Sequence, residues 1–265
     1  MNQNSPFFAF KYMFLDNKFW SKFAVFFLLV LACLAPQFIP ETADKIGIIN
    51  YLFLFIVLMV IGLFGQIFYY GYYCSCIKSI IEQSGNYVLP VFNFKKDGML
   101  GLKCFAGMLL LGLAICFAFL ILGIILGIAG SAIVAALYAV NPVIGVLIGA
   151  IIVLAVIFAV TAVAYIYYPS ALRLFAQIQD PLVFFNFKEI FRLIKENKDI
   201  YYKYIGIMVL ATLLVFAVVL TICIPCIALK ICSPVICVIV LCTTLAFAGA
   251  YVNLVCAYAT AKCIR

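Results

Sequence analysis

The chain has 265 residues, 69% of them hydrophobic and 10% charged, with a net charge of +8 and no histidine. A soluble domain of this size carries roughly 25% charged residues, so a soluble globular protein is excluded and a polytopic membrane protein is indicated. The positive balance does not point to nucleic acid, because the basic residues sit at the ends of apolar runs, where membrane proteins place them.

In chain order, Ser5-Pro6 is a plausible N-cap and N1 pair. An aromatic and basic segment follows and reaches Trp20 and Lys22. The first apolar run, about Trp20 to Ile39, is long enough to span. Val30-Leu-Ala-Cys33 resembles a lipoprotein box, but the region before it is long and partly amphipathic, so an uncleaved span is expected. Pro36 and Pro40 end this run, and Glu41, Asp44 and Lys45 form a polar turn. The second span runs from about Gly47 to Tyr70 and closes in an aromatic belt. An amphipathic tail, Cys74 to Gln83, then reaches the turn Ser84-Gly85-Asn86.

From Cys104 to Leu172 there is no Asp, Glu, Lys or Arg. One crossing needs ~20 apolar residues, so this interval crosses more than once. A third span is expected at about Cys104 to Ile128 and a fourth at about Ile144 to Tyr168. Residues 130–143 are either a re-entrant piece or an extension of the third helix. A second amphipathic tail, Ser170 to Asp180, follows. The fifth and sixth spans are placed at about Tyr204 to Cys226 and Val235 to Ala257. The expected fold is therefore all-α, a single transmembrane domain over 1–265 with six spans and amphipathic cytoplasmic helices.

The largest charged island lies between the fourth and fifth spans. Phe187, Ile190, Phe191 and Ile194 recur at helical spacing as one apolar stripe. Lys188, Glu189, Arg192, Lys195 and Glu196 fill the opposite face. Asn186, three residues before Glu189, resembles a capping box and sets the helix start. This is the pattern of a helix lying on a membrane surface.

Phe8-Ala-Phe-Lys11, Phe92-Asn-Phe-Lys95 and Phe185-Asn-Phe-Lys188 share the pattern Phe-x-Phe-Lys, and each precedes a pair of spans. The chain thus reads as three surface-helix-plus-hairpin units, over 5–83, 91–180 and 184–265. The alternative is that aromatic and basic residues recur wherever helices enter a bilayer. With six spans, 15 of the 17 Lys and Arg fall on one side and only Lys45 and Lys230 on the other. Positive loops stay inside, so both termini are expected in the cytoplasm.

Twelve cysteines are present, most of them inside apolar runs, Cys33, Cys116, Cys237, Cys242 and Cys256 among them, where cysteine acts as a small hydrophobe. Cys223-Ile-Pro-Cys226 has a spacing with chemical meaning, and a structural disulfide is its candidate role. Zinc is disfavoured there, because there is no histidine and no second C-x-x-C. Gly123-x-x-x-Gly127 and Gly145-x-x-x-Gly149 are candidate close-packing sites, either within one hairpin or in a homo-oligomer.

Gln66, Thr161, Thr212, Thr221, Thr243, Thr244 and Asn253 are the polar residues within spans, and no charged residue sits at mid-span. Ion-coupled transport usually needs one. No catalytic, cofactor or metal residues are assigned, and an enzyme is not expected.

Tyr70-Gly71-Tyr72, a basic amphipathic tail, Gly85, Leu89-Pro90, a Phe-rich link and Asp97-Gly98 before a new span resemble a bacterial and archaeal membrane family. It is catalogued only as domain of unknown function 4013. The Phe187-to-Asn197 helix resembles its second cytoplasmic segment. The chain departs from the family pattern in lacking the tryptophan or acidic residues that often follow Leu-Pro. The resemblance implies a multi-span membrane protein and no catalytic residues. The expectation is a non-catalytic component of a bacterial-type cytoplasmic membrane that binds lipid or a partner protein. The alternative is a transporter or channel for an apolar or lipid-like solute.

Overall fold

The computed structural model describes residues 6–38, 47–83, 88–140, 143, 146–151, 166–228 and 234–263, and every regular element among them is helical. Short 3-10 turns at Pro6–Phe10 and Tyr12–Leu15 lead into α1 (Phe19–Cys33). Then come α2 (Ile48–Glu82), α3 (Phe94–Val140), α4 (Tyr168–Ile178), α5 (Phe187–Glu196), α6 (Lys198–Ala228) and α7 (Pro234–Cys263). Ile48–Glu82, Phe94–Ala118 and Ile239–Ala261 are long and apolar enough to cross a membrane. With the composition, they mark an integral membrane protein. Phe19–Cys33 and Tyr202–Val218 are apolar but shorter, and most of the expected fourth span lies outside the described residues.

Helix lengths depart from the sequence reading in three places. The first helix has 15 residues, about 22 Å at 1.5 Å per residue. It gives way to a 3-10 turn at Ala35–Phe38, because Pro36 disfavours helical backbone at the residue before it. The second span and its amphipathic tail are one helix of 35 residues. The third runs for 47 residues, about 70 Å, so residues 130–140 extend α3 and do not form a separate re-entrant piece.

Among the described residues the core does not sit at mid-span. It gathers at the basic end of the molecule, where one cluster takes in Tyr12 and Met13, Phe23 and Phe26 of α1, and Tyr72, Cys74 and Ile77 of α2. The same cluster holds Ala171 and Phe175 of α4, Tyr204 of α6, and Leu254, Ala257 and Tyr258 of α7. The first half of α2 is the opposite case: Ile48, Ile49 and Phe53 are 81%, 81% and 71% exposed. Apolar side chains exposed along a span-length helix suit contact with lipid tails.

Glycines set the closest crossing. A Cβ on Gly71 of α2 would lie 1.8 Å from the Asp97 carbonyl oxygen, and one on Gly101 of α3 would lie 1.8 Å from that of Ile67. The two backbones therefore touch, as small residues permit between membrane helices. Gly65 does the same against Ala32 and Cys33 of α1. Of the glycines picked from the G-x-x-x-G pattern, Gly149 faces open space. The surroundings of Gly123, Gly127 and Gly145 lie outside the described residues.

Candidate functional site

The link between α2 and α3 is held by a buried ion pair. Asp16 follows the second 3-10 turn, and Lys22 is on the first turn of α1. Lys22 Nζ donates to Asp16 Oδ2 at 2.7 Å and to the Leu89 carbonyl at 2.5 Å. The Leu89 amide donates to Asp16 Oδ2 at 2.9 Å, and the Lys18 amide to Oδ1 at 2.8 Å. Burial alone pushes the Asp16 carboxyl up. The Lys22 hydrogen bond, the two backbone amides and the Lys22 charge outweigh it, so its pKa is held below the usual aspartate value.

The rest of the link is tied to the helices on either side. The Tyr72 hydroxyl donates to the Pro90 carbonyl at 2.9 Å. Gln83 exchanges side-chain hydrogen bonds with both backbone groups of Val88. Asp97 accepts from Ser75 Oγ at 2.5 Å and from the Asn93 amide at 2.7 Å. A Cβ on Gly98 would meet the Phe68 ring at 2.7 Å. Gly71, Tyr72, Leu89, Pro90 and Gly98 therefore come together around one latch, and Gly85 lies outside the described residues. Asp16, Lys22, Ser75 and Asp97 are buried and engaged with one another or with the link backbone, so this network positions helices.

Both Phe-Asn-Phe-Lys segments start a helix in the same way. Asn93 Oδ1 accepts from the Lys96 amide at 2.9 Å, and Asn186 Oδ1 from the Glu189 amide at 3.3 Å. Each asparagine satisfies an otherwise orphaned amide in the first turn. A tyrosine of the preceding helix also reaches each link: Tyr72 donates to Pro90 O, and Tyr167 donates to Phe184 O at 2.5 Å. At Phe8-Ala-Phe-Lys11 the tyrosine comes from the far end of the chain, with Tyr251 donating to Phe10 O at 2.9 Å. Tyr12 donates in return to Leu254 O, and its ring centroid lies 4.5 Å from that of Tyr258.

The surface helix α5 has two faces of opposite character. Ile190 is fully buried, whereas Phe187 and Phe191 stay 48% and 60% exposed. Their rings flank Tyr167, with centroids 5.7 and 6.1 Å away. Phe187, Phe191 and Ile194, with Ile166, Tyr167 and Leu111 and Ile115 of α3, line an apolar groove of about 330 Å³. On the other face Arg192 pairs with Glu189 and, at 3.8 Å, with Glu196. Lys188 and Lys195 are exposed and join no ion pair among the described residues.

Among the described residues the other singled-out side chains do not form a shared site, and Thr161 lies outside them. Thr212, Thr221 and Thr243 donate to carbonyls four residues back on their own helices, and Asn253 donates to Gly249 O. Gln66 is exposed. The side chains of Cys223 and Cys226 lie outside the described residues. A thiol contact that the sequence reading missed is Cys74 to Cys104, Sγ to Sγ 3.8 Å, beside the Gly71–Gly101 crossing. Also missed was a small polar cleft of about 200 Å³ lined by Ser75, Lys78, Ser79, Glu82, Lys96 and Gln179, among others. Among the described residues no cluster of His, Cys, Asp or Glu is placed to hold a metal ion.

The family model described as "Protein of unknown function (DUF4013)" matches residues 54–228, an interval that contains the α2–α3 link and the whole of α5 but not Asp16 or Lys22. No curated protein and no solved structure matches the chain. A match over this share of the sequence places the chain in the DUF4013 family of proteins of unknown function.

Proposed function

We propose that this chain is a non-catalytic component of a cytoplasmic membrane that binds lipid or a partner protein through the helices of its basic end. In this reading the basic end and both termini face the cytoplasm, following the bias of Lys and Arg to one side. Six helices then cross the bilayer, the three long apolar ones and three more from the runs at 20–39, 144–168 and 204–226.

The observation that carries the reading is α5. Its aromatic stripe is exposed and lines a groove, and its cationic face is turned away from the core. Such a helix suits a surface where apolar and charged partners meet. The three-unit plan fits the contacts too, since a tyrosine hydroxyl reaches Phe10 of the first Phe-x-Phe-Lys segment and the links just before the other two, and the last unit closes on the first.

The test is co-purification in native lipid followed by mass spectrometry. The wild-type chain retains a bound lipid or protein. A variant with Lys188→Glu, Arg192→Glu and Lys195→Glu loses it. An unchanged set of bound molecules in that variant overturns the reading.

A further inference from the structure

Resting on that reading of α5, we propose that the groove between α3 and α5 holds one acyl chain of an anionic phospholipid, with the phosphate against Lys188 and Lys195. The volume of about 330 Å³ falls within the range of roughly 300–1,000 Å³ typical of ligand pockets. Its walls are apolar side chains, apart from the Tyr167 hydroxyl, which is already committed to the Phe184 carbonyl.

Two observations select a membrane lipid as the occupant. The first is continuity. Leu111 and Ile115 line the groove, and Ala114 and Ala118, three residues on from each and beside them on the same side of α3, are exposed. A chain lying on this lipid-facing surface reaches the groove without crossing water.

The second is charge. At about 100° per residue, Lys188 and Lys195 lie about 100° and 80° round α5 from Phe187. That places both lysines on one flank of the groove, while the buried Ile190 lies on the other. The two glutamates of α5 are engaged by Arg192 farther round the helix. The groove is therefore flanked by two cations with no acidic residue between them and the apolar stripe. Long lysine stems reach from apolar surface to headgroup level. Each such lysine favours an anionic surface enough to shift binding by about fivefold.

The experiment reconstitutes the full chain in nanodiscs carrying a phospholipid with a photoreactive group on its acyl chain. Phosphatidylglycerol and phosphatidylcholine probes are used in separate samples at equal mole fraction, and labelled peptides are mapped by mass spectrometry. The phosphatidylglycerol probe labels the segment 187–194 together with Leu111 or Ile115, about five- to thirtyfold above the phosphatidylcholine probe. Lys188→Gln with Lys195→Gln removes that preference while acyl labelling persists. These are exposed positions, so the variant keeps its fold. Ile115→Trp fills the groove and abolishes labelling there.

Equal labelling by both probes overturns the proposal, as does labelling confined to Leu113 and Phe117, or a photoproduct with a protein bound in the groove. If charge reversal on α5 leaves co-purified molecules unchanged, the binding role itself fails. If reversal releases them while the two probes label alike, only the anionic lipid assignment fails.

Discussion

The amide of Leu89 donates to the carboxylate of Asp16 at 2.9 Å, joining residues 73 positions apart. The same carboxylate holds Lys22, whose ammonium returns to the Leu89 carbonyl. Both backbone groups of one residue of the α2–α3 link are thus held by a buried ion pair.

Removing one member leaves the other charge buried and unpaired. Asp16→Ala should cost about 3–5 kcal/mol, and replacing Asp16 and Lys22 together by apolar residues should cost less. Thermal unfolding of the detergent-purified chain measures both. A single variant as stable as wild type would show that the pair does not hold the link.

The pH dependence has a definite sign. The Asp16 pKa is lowered on folding from 3.8, so its contribution is fully present above that value and is lost as pH falls through the lower folded pKa. Wild-type stability should decline below about pH 4, and Asp16→Asn should lack that part of the decline. Parallel melting curves for the two proteins from pH 6 to 3 would contradict this.

Backbone contact at the α2–α3 crossing makes a third prediction. Gly71→Ala or Gly101→Ala puts a methyl group where a carbonyl oxygen already lies, and overpacking of this kind costs about 1–3 kcal/mol. Gly112→Ala on α3 meets open space and should be neutral or stabilising by up to about 1 kcal/mol, because alanine favours helix. Equal stability of Gly71→Ala and Gly112→Ala would rule out the close crossing.

Orientation is tested by reporter fusions. Fusions at Arg265 and after Lys195 should report cytoplasm, and fusions near Asp44 and Lys230 the outside. An external carboxyl terminus would refute the assignment.

What the sequence disclosed followed from local pattern. The start of α5 at Asn186 was legible because a cap and a helical stripe both lie within ten residues. The continuation of α2 through its aromatic belt was not. A change from apolar to amphipathic pattern looks like a boundary, yet no proline stands in the sequence between Gly47 and Ser84. The Asp16–Leu89 latch left no local mark, since hydrophobic periodicity carries no information about partners 73 residues away. The glycines of the α2–α3 crossing were missed for a related reason. A G-x-x-x-G search finds pairs on one helix, whereas Gly71 and Gly101 act as a pair across two.

The most direct test of the proposed binding role is translocation of a fluorescent phospholipid between leaflets in liposomes that contain this protein alone. The account predicts the same rate as in protein-free liposomes, with no change on Lys188→Glu, Arg192→Glu and Lys195→Glu. Faster translocation that persists in the charge-reversed variant would contradict it and identify a transporter.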